Sequence, residues 1–242
     1  MKEAVVLKQL ISASERIVFF GGAGVSTDSG IPDFRSATGL YNRQQHTDHS
    51  PEEMLSYSFM IAHAAEFYTY LRENLYFPEA KPNLAHLAIA RLESIHPDVT
   101  VITQNIDGLH QAVGSRNVLK IHGSLQRFYC MNCRRDYSTD LVWEGDGIPH
   151  CPACGGMIRP DVVLYGEMLD ERVMAKAQSA IRKADLMIVG GTSLVVYPAA
   201  GLLQYFRGKA LVLINRDPTP YDQTATYVFH EDLGELLDMA VA

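Results

Sequence analysis

Short apolar runs that stop abruptly on polar or glycine residues constrain this chain more than any other feature. Arg16-Ile-Val-Phe-Phe20, Val99-Thr-Val-Ile-Thr103, Leu186-Met-Ile-Val189 and Ala210-Leu-Val-Leu-Ile214 are apolar or β-branched at nearly every position. A strand with one wet face alternates apolar and polar residues; continuous runs belong to strands covered on both faces, as in parallel sheets. Segments of helical periodicity separate them, at 3–14, 63–76, 83–95, 170–183, 198–206 and 231–240, with Asn83 after Pro82 as a helix cap. Val118-Leu-Lys-Ile121 adds one more short strand. This order predicts an α/β fold: a doubly wound, mainly parallel, Rossmann-like sheet whose ligands meet the carboxyl ends of its strands.

Two stretches interrupt the alternation and are expected to form a smaller lobe. Residues 37–82 read as a helical insertion, and residues 123–165 hold all four cysteines among closely spaced glycines and prolines. The large lobe is then 1–36, 83–122 and 166–242, within one domain. The 242 residues, 47% hydrophobic and 20% charged, suit a packed globular chain. A net charge of −7 argues against general binding to nucleic acid. No run nears the roughly 18–20 apolar residues of a membrane span. The first twenty residues carry Glu3 and Glu15 and no small-residue cleavage site, so they read as a helix feeding a strand. A cytoplasmic monomer with no membrane association is expected.

The cysteines carry a signal of their own. Cys130-Met-Asn-Cys133 and Cys151-Pro-Ala-Cys154 are two knuckles separated by seventeen residues, a spacing that presents four thiolates to one tetrahedral zinc ion. Four protein ligands leave no open position, so the zinc is structural. It would supply folding energy to a segment with little apolar content of its own.

Polar groups gather at the predicted strand ends. Gly21-Gly-Ala-Gly24 follows the first strand, where a glycine-rich turn lets backbone approach a pyrophosphate and a following helix N-terminus favours negative charge. Thr27 stands where the third glycine of a dinucleotide fingerprint would be, and no acidic residue ends a next strand, so a hydride-transfer dehydrogenase is disfavoured. Gln104, Asn105 and Asp107 follow the strand at 99–103, and His122 follows the strand at 118–121. An imidazole placed there suits proton transfer near neutral pH. Gly190-Gly-Thr-Ser193, Asn215 and Asp217 add small and polar groups to the same edge.

Taken together, Gly22-Ala-Gly-Val-Ser-Thr-Asp-Ser-Gly-Ile-Pro-Asp-Phe-Arg35, Thr103-Gln-Asn-Ile-Asp107, His122-Gly123, the paired knuckles, Val162-Val-Leu-Tyr-Gly-Glu167 and Gly191-Thr-Ser193 resemble the motifs of the sirtuins, in sirtuin order. The resemblance spans nearly the whole chain and is nearest to small bacterial and archaeal members. It implies an NAD-dependent protein lysine deacylase, foremost a deacetylase. The acyl-lysine carbonyl oxygen would attack the ribose carbon bearing nicotinamide, and His122 would serve as general base on a ribose hydroxyl. Nicotinamide and O-acyl-ADP-ribose would be released.

The same resemblance implies that Ala23, Thr27 and Arg35 lie along the phosphates, with Phe34 covering the reacting ribose. Asn105 would position ribose and water, and Ile106 and Asp107 would hold the nicotinamide carboxamide. Thr192, Ser193, Asn215 and the backbone near Asp232 would hold adenosine. Val162, Val163, Gly166 and Glu167 would lie in the strand that pairs with the acyl-lysine peptide. Members that prefer acidic acyl groups carry Tyr followed three residues later by Arg. Here Tyr68 is followed by Leu71, with Arg72 one position off, which favours acetyl or longer neutral groups over succinyl. Mono-ADP-ribosyl transfer is the rival reaction. A zinc-ribbon module for nucleic acid or partner proteins, leaning on Arg127, Arg134, Arg135 and Arg159, is the non-enzymatic rival.

Overall fold

The computed structural model describes residues 2–34, 39–42 and 49–242. Among these, the strands in chain order are β1 (Ile17–Gly21), β2 (Val99–Thr103), β3 (Val118–Lys120), β4 (Gly123–Cys130), β5 (Asp136–Tyr137), β6 (Ile158–Val162), β7 (Leu186–Gly190), β8 (Ala210–Ile214) and β9 (Tyr227–Phe229). Six of them form one sheet in the order β3-β2-β1-β7-β8-β9, every pair parallel. The chain winds outward from β1 to β3, then returns beside β1 and winds the other way. This is the doubly wound order, with its switch point between β1 and β7.

Continuous apolar runs follow from double cover. All five residues of β1, β2, β7 and β8 are buried. Ile17 and Phe19 pack into one core with helices Lys2–Ser12, Leu84–Ile95 and Leu233–Val241. Val18 and Phe20 point the other way, into a core with helix Glu171–Lys183 and the 3-10 turn Ala200–Tyr205. The latter stretch was expected to be an α-helix. Asn83 caps its helix as expected, accepting from the N–H groups of Ala85 (3.0 Å) and His86 (3.4 Å). Such a cap stabilises by about 1 kcal/mol.

The remaining strands make a three-stranded antiparallel sheet, β5-β4-β6. In each knuckle the first cysteine's carbonyl accepts an N–H from the residue just past the second cysteine, Arg134 (3.0 Å) or Gly155 (2.8 Å), and both of those residues are left-handed. The four sulfurs converge within 4.8 Å of one another, with Cys130–Cys154 at 3.5 Å and Cys133–Cys151 at 3.7 Å. Tetrahedral zinc with bonds of about 2.3 Å needs sulfurs roughly 3.8 Å apart, so this donor set fits the ion.

The small sheet is less bare of apolar support than its sequence suggests. Phe128, Cys130, Val142, Cys151 and Ile158 share a third core with Phe59, Met60, Phe67, Tyr68, Tyr70 and Leu71 from the helical insertion. Tyr68 donates to the Ile158 carbonyl, and Arg72 donates to the carbonyls of Val142 (2.8 Å) and Gly147 (2.6 Å). Insertion and zinc module are thus stitched into one body. Cys130→Ser should reduce bound zinc from one ion to near none and disorder the three-stranded sheet. The helical signal of the large lobe should persist, as elemental analysis and circular dichroism would register; unchanged zinc content would refute the four-sulfur site.

Candidate active site

The carboxyl ends of β1, β2, β7 and β8 open into one cleft of about 1430 Å³ that continues between the two sheets. At the switch point the loops after β1 and β7 touch backbone to backbone: Gly24 N–H donates to the Gly191 carbonyl at 2.8 Å. A Cβ on Gly24 would lie 2.9 Å from the Gly191 backbone, and one on Gly22 would lie 2.7 Å from Thr192. The glycines therefore serve close approach, and they leave a floor of main chain on which an extended ligand can rest. Among the described residues 22–34 no α-helix follows them. The chain makes two 3-10 turns, Ala23–Val25 and Thr27–Ser29, before left-handed Gly30 and Pro32 turn it away. The expected helix N-terminus for a phosphate is absent there, and backbone N–H groups and hydroxyls are what the loop offers.

Side chains from neighbouring loops lock together above this floor. Asn105 Nδ2 donates to Ser26 Oγ (3.0 Å), and Ser26 Oγ donates to Asp107 Oδ2 (2.7 Å). The other Asp107 oxygen accepts the Leu109 N–H at 2.9 Å, and Gln126 Nε2 donates to the Asp107 carbonyl at 3.1 Å. Ser26, buried at 1% exposure, is the hinge of this set. It stands inside the first sequence motif, but no spacing rule singles it out. Gln104 Nε2 reaches across the switch point to Thr192 Oγ1 (3.0 Å), and Asn215 Oδ1 accepts the Thr192 N–H (2.9 Å). Asn215 Nδ2 is buried without a partner among the described residues, a donor waiting for an acceptor.

His122 sits where β3 passes into β4. Its Nδ1 donates to the Gln104 carbonyl at 3.0 Å, which leaves Nε2 as the lone-pair nitrogen. Burial pushes the imidazole below its ordinary value of 6.5, against a smaller opposing effect of the Gln104 carbonyl. The ring is therefore neutral, and basic at one defined atom, at neutral pH. Gly123 must follow it, because a Cβ there would lie 2.0 Å from the Asp161 carbonyl oxygen.

Of the residues singled out from sequence, Ala23, Thr27, Phe34, Gln104, Asn105, Ile106, Asp107, His122, Val162, Val163, Gly166, Glu167, Thr192, Ser193, Asn215 and Asp232 all line this cleft. Arg35 lies outside the described residues. Two of them also hold structure. Asp232 caps helix Leu233–Val241 through Glu235 N–H (3.0 Å) and pairs with Arg216 (2.6 Å). Glu167 binds Arg159 through both oxygens, each at 2.7 Å. Burial works to raise the Glu167 carboxyl, but Arg159 and the Leu164 N–H outweigh it and hold it below the usual range. Arg127 is likewise paired, with Asp136 (2.9 Å) and Asp161 (2.8 Å). Two of the four arginines of the basic cluster expected for a nucleic-acid module, Arg127 and Arg159, are therefore paired with carboxylates of the protein itself.

The comparisons with known proteins agree with this geometry. The model of the Sir2 family matches residues 22–198. The chain belongs to the Sir2 family. It is 50% identical to an NAD-dependent protein deacetylase of Clostridium perfringens, over 97% of each chain. It is 52% identical to one of Cutibacterium acnes, over 96% of this chain and 94% of that one. A Sir2 structure with a peptide and NAD+ superposes with a TM-score of 0.84 at 39% identity, covering 98% of this chain and 96% of that one. A Sir2 structure bound to a propionylated peptide gives 0.85 at 38%, with the same coverage.

In this Sir2 chain the glycine floor yields a direct test. Gly24→Ala should weaken NAD binding about tenfold or more and destabilise the fold by about 1–3 kcal/mol, because neither backbone can yield. Calorimetric titration with NAD and thermal melting would check both; unaltered NAD affinity would disprove the floor.

Proposed function

We propose that this chain is an NAD-dependent protein lysine deacylase, foremost a deacetylase, with His122 as general base. The observation that carries the assignment is the imidazole fixed through Nδ1 with Nε2 free, at the edge of a cleft floored by glycine backbone. NAD fits the cleft by the main-chain approach at Gly22, Gly24 and Gly191 and by the unpartnered Asn215 amide. When bound, it would supply a ribose carbon that gives up nicotinamide to the acyl carbonyl oxygen and a neighbouring ribose hydroxyl to receive the acyl group. Ala23, Thr27 and Arg35 would follow the phosphates, and Thr192, Ser193, Asn215 and the Asp232 backbone the adenosine. Ile106 and Asp107 would hold the carboxamide, with Asp107 fixed by Ser26. Asn105 would orient ribose and water, Phe34 would cover the reacting face, and His122 would take a ribose hydroxyl proton at Nε2. Val162, Val163 and Gly166, with Glu167 closing the turn, would receive the acyl-lysine peptide as an added strand.

All these groups come from one chain, which suits a monomer. No helix among the described residues is long and apolar enough to cross a membrane. Four thiols gathered for a metal suit a reducing compartment, so we place the protein in the cytoplasm.

The cleft favours neutral acyl groups. Leu71 lines it, whereas Tyr68 is fully buried against β6 and Arg72 is turned to the zinc module. Among the described lining residues the only Lys or Arg is Arg216, already paired with Asp232. A succinyl carboxylate would find no unpaired Lys or Arg among the described lining residues.

The decisive assay is nicotinamide release from NAD with and without an acetyl-lysine peptide; release that ignores the peptide would sink the deacylase reading. His122→Ala should lower kcat/KM by about 100- to 10,000-fold with the fold intact. Because the folded imidazole titrates below 6.5, wild-type kcat/KM should stay flat at neutral pH and fall only as pH drops through a lower value. An acid limb above 6.5 in the pH profile would contradict this. Turnover on an acetyl-lysine peptide should exceed that on its succinyl counterpart by at least about tenfold, since an unpaired buried carboxylate costs more than about 1.4 kcal/mol; parity between them would count against the preference for neutral groups.

A further inference from the structure

Arg159 is a buried cation that no step above uses. It is 4% exposed and lies on β6, the strand that continues into the cleft-lining segment 162–167. Its two terminal nitrogens meet the two Glu167 oxygens, and one of them also donates to the Val162 carbonyl at 2.9 Å. Its Nε donates to the Pro160 carbonyl at 3.2 Å. The guanidinium lies over the Tyr57 ring, 5.7 Å from its centroid. Glu167 returns to the segment through a turn at left-handed Gly166, and its Oε2 accepts the Leu164 N–H at 2.9 Å. One ion pair therefore grips the main chain at residues 160, 162 and 164. The far edge of the segment is held separately: Val163 N–H donates to the His122 carbonyl, and Tyr165 exchanges two hydrogen bonds with Leu55 and Tyr57.

A buried ion pair is a poor device for stability, since matched apolar side chains do as well or better. It is a good device for geometry, because a bidentate guanidinium–carboxylate pair admits one arrangement. Strand addition draws its affinity from main-chain hydrogen bonds in register, and ordering a loose segment on binding subtracts from that affinity.

We infer that Arg159 and Glu167 are positioning residues for the acyl-lysine peptide: they hold the main chain of residues 160–164 in place, and set peptide affinity through that segment. The inference rests on the deacylase reading for the identity of the peptide, but the order of the segment does not. The zinc module acquires a task beyond folding, since β6 carries Arg159 directly from the sheet that the cysteines close.

The test uses the full zinc-loaded chain as wild type, Glu167→Ala, Glu167→Gln and the double variant Arg159→Met/Glu167→Leu. Each is measured for peptide KM, NAD KM, kcat, zinc content, melting temperature and amide exchange at Leu164. Glu167→Ala should raise peptide KM at least about tenfold, with kcat and NAD KM within about threefold and zinc retained. Glu167→Gln, which keeps an acceptor, should recover most of the loss. The double variant should melt near wild type yet keep the raised peptide KM, because the grips on Val162 and Leu164 are gone. Leu164 exchange should quicken about tenfold or more in Glu167→Ala, with or without any activity. Wild-type peptide KM or slow Leu164 exchange in Glu167→Ala would overturn the inference. So would a double variant that restores peptide KM together with stability. Wild type inactive on acetyl-lysine peptide would count against the deacylase reading instead, leaving exchange to decide the clamp.

Discussion

The contact between Gly24 and Gly191 is the point from which the rest of the cleft is measured. Two loops leave adjacent parallel strands that wind in opposite directions, and they meet with no side chain between them. The loop after β7 is then held beside that seam by side chains from both directions. Gln104 from β2's end holds Thr192 beyond β7, and Asn215 beyond β8 holds the same residue from the other side. The sheet's core has no polar freedom, so its edge carries all of it. Pre-fixed hydrogen bonds of this kind keep dipoles in place before a ligand arrives, which is where electrostatic catalysis gains most.

The small lobe solves a different problem. Its sheet is short, with a β5 of two residues and a register break between Ser124 and Phe128. Such a sheet cannot stand alone. Four sulfurs tie one end, while aromatic residues of the insertion cover the face. Trp143 illustrates the arrangement: it stacks on Tyr76 from the insertion (4.7 Å between centroids) and meets Phe128 edge-on. Metal and apolar packing share the task.

How much was legible in the sequence follows from local density of signal. The buried strands announced themselves because five consecutive positions needed apolar cover, and the knuckles because thiolate pairs have few other uses. β4 did not, since Gly123-Ser-Leu-Gln-Arg-Phe-Tyr-Cys130 changes register midway and blurs its alternation. β9 is three residues on an exposed edge, too short to show a period. The glycine loop was read as leading into a helix, but Gly30 and Pro32 halt helical continuation after single turns. Arg159 reads in sequence as one of four arginines near the knuckles because its partner lies eight residues on, beyond a turn that sequence spacing does not reveal. Ser26 was hidden for the same reason: its meaning lies in Asn105 and Asp107, some eighty residues away.

His122 occupies an unusual place in the covalent path. With Ile121 it makes the two-residue link between the last residue of β3 and the first of β4, and its carbonyl accepts the N–H of Val163, where the chain crosses back. Two crossings between the sheets thus run side by side at His122 itself. The histidine is thereby tied through its ring to the Gln104 carbonyl, through its own carbonyl to Val163 and through the chain to both sheets, so the imidazole stands on the seam where the two sheets are joined.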